Sequence, residues 1–447
     1  MRATSSWYRQ VAEKALAFRS ATFGWSNLVQ GVVLLASATI VSQSLNLLAS
    51  PVLSRLYSPD EFGVLAVYSS VLGMVATVAS LGYASAVPAA DDDVSAVNLL
   101  FICAVSVLVT SLALVMLVIV AGDWLVIALG CPDLRGYLWM LPLGLCGVGL
   151  YETMNSWCIR KRRYSTLART RVTQGLAQLV CQLCGGAVGL GAFGLVASHV
   201  VGESAGVGSL LREGIKKDSV VFREAKLGCI VSVARRYWQF PAFLMWGNLV
   251  TNAGLRLPAL LLALLYGPKV AGLFYMSQKV LGIPTQLLSR NLKEVLTGEL
   301  APVAREDPRR LKQACSRIAK RMLVVGSLPC LGLSVGAEWL FRVVLGEAWS
   351  ESGVYVQMMC FVFLAKTILD STVNFAILGR PKYILGWAWL RLVLVLVGVW
   401  GAKWLGFTAV WAVGGYTVSM GVAYVCLYLM WMVALRESAA GARGLED

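Results

Sequence analysis

The chain has 447 residues, 58% of them hydrophobic and only 14% charged, at a mean hydropathy of +0.70. Soluble domains carry about 25% charged residues, so this composition excludes an ordinary water-soluble globular fold and points to lipid as the solvent. The formal charge of +15 suits either nucleic acid or the cytoplasmic side of a membrane, and the positions of the cations decide between them.

Residues 1–25, with Trp7, Tyr8, Arg9, Lys14, Phe18 and Arg19, lack a compact apolar core followed by a small-residue cleavage site. They read as a cytoplasmic amphipathic lead-in. A spanning helix takes about 20 mainly apolar residues, and twelve stretches qualify. Six run at 28–50, 62–88, 95–121, 137–158, 166–189 and 193–211, forming an N-terminal lobe over 26–211. A polar cytoplasmic linker follows over 212–236. Six more run at 239–265, 269–293, 318–343, 354–378, 383–403 and 407–434, forming a C-terminal lobe over 237–435 before a cytoplasmic tail at 436–447. The expected fold class is an all-α polytopic membrane protein.

With these spans, twenty-six of the 39 Lys and Arg residues fall on the side of the N-terminus, five on the other side and eight inside spans. The positive-inside rule then places both termini in the cytoplasm and removes nucleic acid as a partner. Asp91, Asp92 and Asp93 run against the trend, but acids just before a helix are stabilised by its N-terminal dipole. The chain also repeats itself. Trp124-Leu125, Leu129-Gly130 and Gly136-Tyr137 recur as Trp339-Leu340, Leu345-Gly346 and Gly353 with Tyr355; Arg162-Arg163-Tyr164 recurs as Arg380-Pro381-Lys382-Tyr383. All lie in one register, about half the chain apart. Six helices per copy is even, so two lobes of one orientation are expected, related by a pseudo-twofold axis along the membrane normal.

The eleven cysteines lie mostly in apolar runs. The C-x-x-C at Cys181 and Cys184 has no second pair and no nearby histidine, so packing is the expected role and no metal site is assigned. Gly189 to Gly194 spells G-x-G-x-x-G, yet it sits between two spans where a strand should precede it, and it reads as a hairpin. No P-loop is present and no cofactor is expected.

Ionisable residues within spans are informative because each costs about 2.5–3.5 kcal/mol at a helix centre. The seventh span carries Asn248, Asn252 and Arg256 at fourfold spacing, hence on one face. The eighth carries Lys279, Gln286, Arg290 and Lys293 with Pro284; the tenth carries Lys366, Asp370 and Asn374; the eleventh carries Arg391. The reading is a cationic cavity for phosphate or acidic sugar, formed by Arg256, Lys279, Lys366, Arg391, Asn248 and Asn252. The bland alternative is that these cations snorkel, pair or cap helices. Polar stripes at Thr39, Gln43, Asn46, Ser50 and Ser54, and at Arg171, Gln174, Gln178 and Gln182, either line water or bond neighbouring helices. His199, Glu203, Glu152 and Asp370 are the candidates for ion coupling.

Leu53-Ser54-Arg55-Leu56-Tyr57-Ser58-Pro59-Asp60-Glu61-Phe62-Gly63 resembles the hairpin after the first helix of bacterial polysaccharide transporters, the lipid-linked oligosaccharide flippases of the multidrug, oligosaccharidyl-lipid and polysaccharide exporter superfamily. Tyr237 to Pro241 with Leu257-Pro258, Gly272 to Met276 with Pro284, and Leu345 to Trp349 with Gly353 resemble three later segments of that family, in order. The stretch Gly82-Tyr83-Ala84-Ser85-Ala86-Val87-Pro88 departs from it, lacking the charged pair of many relatives. The resemblance implies transport, not enzymatic chemistry: an undecaprenyl-pyrophosphate-linked oligosaccharide moved from the cytoplasmic to the periplasmic leaflet of the inner membrane. It implies an anionic lipid-linked oligosaccharide, membrane lipids, and a polysaccharide polymerase with its export machinery as partners. Competing readings are another exporter of the superfamily, for drugs or a peptidoglycan precursor, and a membrane-embedded polysaccharide polymerase.

Overall fold

The computed structural model describes residues 34–224, 230–282, 308–373 and 382–443, together with Thr285 and Phe375. The expected lead-in over 1–25 lies outside the described residues, as do Pro284, Gln286, Arg290, Lys293 and Asn374. Regular structure among the described residues is helical throughout. Lipid demands this, because a helix satisfies its backbone N–H and C=O groups within its own segment.

In their described parts, the twelve expected spans fall on helices or consecutive pairs of helices. The first half holds α1 (Leu34–Leu48) continuing into α2 (Ser50–Leu56), α3 (Pro59–Ala79), α4 (Asp93–Leu129), α5 (Met140–Arg160), α6 (Tyr164–Ala187) and α7 (Ala192–Ser204). The described part of the expected linker is helical, in α8 (Val207–Lys217), α9 (Ser219–Glu224) and α10 (Ile230–Arg236). The second half holds α11 (Met245–Tyr266), entered through a π-helical turn at Phe240–Leu244, then α12 (268–282), α13 (Pro308–Leu345), α14 (Ser350–Thr372), α15 (Lys382–Trp404) and α16 (Ala409–Arg443). One boundary differs from expectation. The sixth span breaks after Ser204, where Gly206 adopts φ 95°, a left-handed conformation natural to glycine. The following α8 is amphipathic, with Leu210 and Gly214 buried and Arg212, Lys216 and Lys217 exposed.

Among the described residues, seven helices are long and apolar enough to cross a membrane: α3, α4, α11 with its π-helical entry, α13, α14, α15 and α16. The other expected spans, α1, α5, α6, α7 and α12, are shorter in their described part or more polar. Within the first half α4 packs on α5, and α5 and α6 on α7; within the second, α13 packs on α14, and α11 and α16 on α15. Helix α3 joins the halves, touching α5 and α7 on one side and α11 on the other.

The bundle has two unlike ends. The basic end carries the α3–α4 and α5–α6 connections, with Arg160 to Arg163, and α8 to α10. The hairpin end carries the turns α2–α3, α4–α5, α6–α7, α11–α12, α13–α14 and α15–α16. The G-x-G-x-x-G segment is the α6–α7 turn, with Gly189 at φ 75° and Gly191 at φ 55°.

Candidate functional site

The hairpin end is where the halves meet most tightly. Ser58 opens α3 with a capping box: its hydroxyl accepts from the Glu61 N–H at 3.3 Å, and Glu61 Oε2 accepts from the Ser58 N–H at 2.7 Å. The rigid turn presents Tyr57 and Phe62 to opposite partners. Tyr57 donates to the Gln182 carbonyl at 2.7 Å, while Phe62 meets the Trp349 ring edge-on at 5.3 Å and Tyr275 at 6.3 Å. Trp349 in turn donates its indole N–H to the Ser54 carbonyl at 3.0 Å. Just behind them α3 and α12 cross with backbones touching: a Cβ on Gly63 would collide with the Pro268 carbonyl, and one on Gly272 with the Pro59 carbonyl.

Below this closure, toward the basic end, lies a cavity of about 600 Å³. Phe62 and Tyr275 form its closed end, and its walls reach to Thr39 on α1, Arg171 on α6 and Gly282 on α12. Every polar group of the lining comes from α1 (Thr39, Ser42, Gln43, Asn46), α5 (Tyr151, Glu152, Asn155), α6 (Arg171, Gln174, Gln178, Gln182), α7 (Glu203) and α12 (Tyr275, Gln278, Lys279). These are the five helices whose composition falls short of a simple apolar span. Their polar residues are tolerated because they face a cavity instead of lipid. Among the described residues, two cations and two acids face the space.

The structure distributes the expected site residues unevenly. Of the six residues assigned to a cationic cavity, Lys279 alone lines it. Arg256 crosses from α11 to α3, its guanidinium donating to the Ser69 carbonyl at 3.3 Å over the open face of Gly73. Arg391 is buried inside the second lobe, donating to the Thr251 carbonyl at 2.6 Å and stacking 4.5 Å from the Trp387 ring. Lys366 lies 5.4 Å from the Phe363 ring, with Asp370 one turn further along α14. Asn252 donates to the Asn248 carbonyl of its own helix at 3.2 Å. Packing thus makes Arg256 and Arg391 ties between helices, and the described wall of this cavity is mainly first-lobe, with Lys279 contributed by the second. Glu152 and Glu203 do share that wall. His199, one turn before Glu203, packs edge-on against Tyr68 at 6.1 Å.

Sequence reading passed over Tyr151, Asn155 and Gln278 as site residues. The signal was present for two of them, since Asn155 follows Glu152 at i+3 and Gln278 adjoins Lys279. The stripes on α1 and α6, which left open whether they line water, do line the cavity through Thr39, Gln43, Asn46 and Arg171, Gln174, Gln178, Gln182; Ser50 and Ser54 do not.

At the basic end the three acids that ran against the charge trend form a clasp. Asp92 caps α4 by accepting from the Ser95 N–H at 2.6 Å. Asp93 accepts from Lys161 at 2.5 Å and Arg160 at 2.9 Å, and Asp91 pairs with Arg236 at 2.6 Å. Arg160 also donates to the Ala90 carbonyl at 2.7 Å. The Lys161 hydrogen bond, helped by Arg160, holds the Asp93 carboxyl below the usual carboxylate range. Nearby, Asp218 accepts from Arg163 at 2.7 Å and from the Trp157 indole at 2.9 Å, so α9 is fastened to the end of α5.

Comparison with known proteins gives a consistent picture. The family model described as "Polysaccharide biosynthesis protein" matches residues 52–354. The chain is similar to the lipopolysaccharide biosynthesis protein WzxC of Escherichia coli (strain K12), at 21% identity over 76% of this chain and 68% of the relative. In fold it resembles the lipid II flippase MurJ in an inward closed conformation, with a TM-score of 0.71 at 10% identity over 91% of this chain and 90% of that one. It also resembles a multidrug resistance MATE family transporter of the MOP superfamily in an inward-facing conformation, with a TM-score of 0.69 at 14% identity over 89% of this chain and 95% of that one.

Proposed function

Since this chain belongs to the polysaccharide biosynthesis protein family, we propose that it carries a lipid-linked oligosaccharide from the cytoplasmic to the periplasmic leaflet of the inner membrane, by alternating access between its two lobes. The observation that carries this reading is the polar cavity of about 600 Å³ on the boundary of the halves, stopped at one end by Phe62, Tyr275 and Trp349. Moving a sugar and its pyrophosphate through hydrocarbon is prohibitive without replacement hydrogen bonds, and the cavity supplies them while the lipid tail stays in the bilayer. With the basic end cytoplasmic, the closed hairpin end is periplasmic, and this conformation is the one that loads substrate. Rocking the lobes about α3 opens the hairpin end and closes the basic end.

Arg171 from the first half and Lys279 from the second are the cations that receive the pyrophosphate. Glu152 and Glu203, sharing one cavity with them, are the groups for ion coupling; Asp370 lies apart in the second lobe and is not part of that set. The test is transport of a fluorescent lipid-linked oligosaccharide into proteoliposomes, read as protection from an external quencher. Lys279→Ala is expected to cut the rate at least about tenfold, the loss of one charge-assisted hydrogen bond, with the melting temperature retained. Glu203→Gln is expected to abolish the response to an imposed ion gradient. Wild-type rates in both variants would remove the cavity from the mechanism.

A further inference from the structure

We infer that a crevice between α13 and α16, toward the basic end of the second lobe, binds one phospholipid with an anionic headgroup, its phosphate on Lys320 and one acyl chain laid along α14. The crevice shares no lining residue with the cavity described above. Its volume is about 250 Å³, short of the roughly 300–1,000 Å³ of a pocket that encloses a small ligand. It therefore takes part of a molecule and leaves the rest in the bilayer. Helix α14 packs against both α13 and α16, and its Ile368 and Leu369, with the buried Trp431 of α16, give the crevice an apolar lining.

Depth sets this crevice at a headgroup level. Trp339 on α13 and Trp411 on α16, 66% and 62% exposed, mark the interface on the hairpin side, where aromatic rings are favoured. Lys320 lies 19 residues from Trp339, and Trp431 lies 20 residues from Trp411. Those separations are about 28 and 30 Å along a helix, one hydrocarbon thickness of about 30 Å. Polarity follows the same axis. Going inward from the basic end, α13 presents Ser316, then Lys320, then Leu323 to the crevice, and beyond it Leu328 and Val335 are 77% and 83% exposed. The surface on which the crevice opens is thus solvated by lipid, so lipid fills it.

Charge selects the headgroup. Arg317, three residues before Lys320, and Arg321 beside it are exposed. None of these three cations takes part in an ion pair among the described residues. Neither Asp370 on α14 nor Glu437 on α16 lines the crevice. A phosphodiester is attracted to such a cluster, whereas a zwitterionic lipid brings its own ammonium against it. A polyprenyl carrier would need its polar group here as well as in the cavity, and the two sites have no wall in common.

The test uses the delipidated full-length protein in detergent with phosphatidylglycerol and phosphatidylcholine, each carrying the same diazirine-bearing acyl chain, and maps the cross-linked peptides by mass spectrometry. Phosphatidylglycerol is expected to label the peptides holding Leu323 and Met432 at about tenfold lower concentration than phosphatidylcholine, the contribution of one charge-assisted contact. Lys320→Gln should bring it to the phosphatidylcholine level at an unchanged melting temperature, because Lys320 is exposed. Ala319→Phe, which fills the crevice, should remove labelling by both lipids there. Equal labelling by the two lipids in the wild type overturns the inference, since the crevice then holds only bulk lipid. A preference that survives Lys320→Gln overturns it as well. So does displacement of the phosphatidylglycerol probe by farnesyl pyrophosphate more readily than by unlabelled phosphatidylglycerol, which would give the crevice to a polyprenyl lipid.

Discussion

One arginine and one lysine show how burial reassigns a charge. Arg391 and Lys279 both lie in expected spans, yet one is surrounded by its own lobe and the other opens on the cavity. Arg391→Ala removes the inter-helix hydrogen bond to the Thr251 carbonyl and empties the face of Trp387, so it should cost about 2–4 kcal/mol and appear as a lowered melting temperature in detergent. A transport defect at unchanged stability would contradict this structural role. Asp93 gives the opposite kind of case, a half-exposed carboxylate whose partners lie on a neighbouring connection. Its folded pKa is depressed by Lys161 and Arg160, so its stabilisation is present above the ordinary carboxylate pKa of about 3.9 and is lost as pH falls through the lower folded value. Asp93→Asn should therefore lower stability at neutral pH by about 1 kcal/mol or less, given solvent screening of the pair, and match the wild type in strong acid. Melting temperatures of both proteins across the acid range check this, and a difference that persists unchanged at the lowest pH refutes it.

At the scale of elements, the crossing of α3 and α12 depends on two glycines whose missing side chains let backbone meet backbone. Gly272→Ala forces the crossing apart by the width of a methyl against the Pro59 carbonyl, with overpacking worth about 1–3 kcal/mol. That strain falls on the state with the hairpin end closed. The variant should populate the opposite state, seen as faster maleimide labelling of a cysteine at position 54 from the hairpin side, and slower labelling would refute it. The same crossing explains what was legible in the sequence. Three of the four segments that resemble polysaccharide transporters, Leu53 to Gly63, Gly272 to Met276 and Leu345 to Trp349, converge on this closure, where a capping box, glycine contacts and a buried indole leave little freedom of choice. Apolar length alone located α3, α4, α11 and α13 to α16. It was weakest on α1, α5, α6, α7 and α12, because those helices carry the cavity. The choice of site residues meets a related limit: a charge in a span is read as cavity-facing, but sequence spacing fixes only which face of its own helix it occupies. Which neighbour that face meets depends on long-range packing, and a carbonyl on another helix accepts a guanidinium N–H from Arg256 and from Arg391.

For the molecule as a whole, a polar chamber walled mostly by one lobe, with α3 as the shared element, makes the hairpin end a gate. Trp349 and Ser54 belong to opposite halves, and their hydrogen bond of 3.0 Å must break if the chamber is to empty on that side. A covalent tie between the two hairpins should then stop transport without stopping loading. Cysteines at Ser54 and Glu347, joined by a short cleavable bis-maleimide in proteoliposomes, test this: cross-linked protein should still bind the carrier lipid from the basic side, should lose transport, and should regain it when the linker is cut. Rocking lobes predict this asymmetry because binding needs only the conformation with the hairpin end closed, whereas release needs the other. A fixed channel or a surface groove predicts none of it. Undiminished transport by the cross-linked protein would show that the halves do not part at the hairpin end, and alternating access would have to be abandoned.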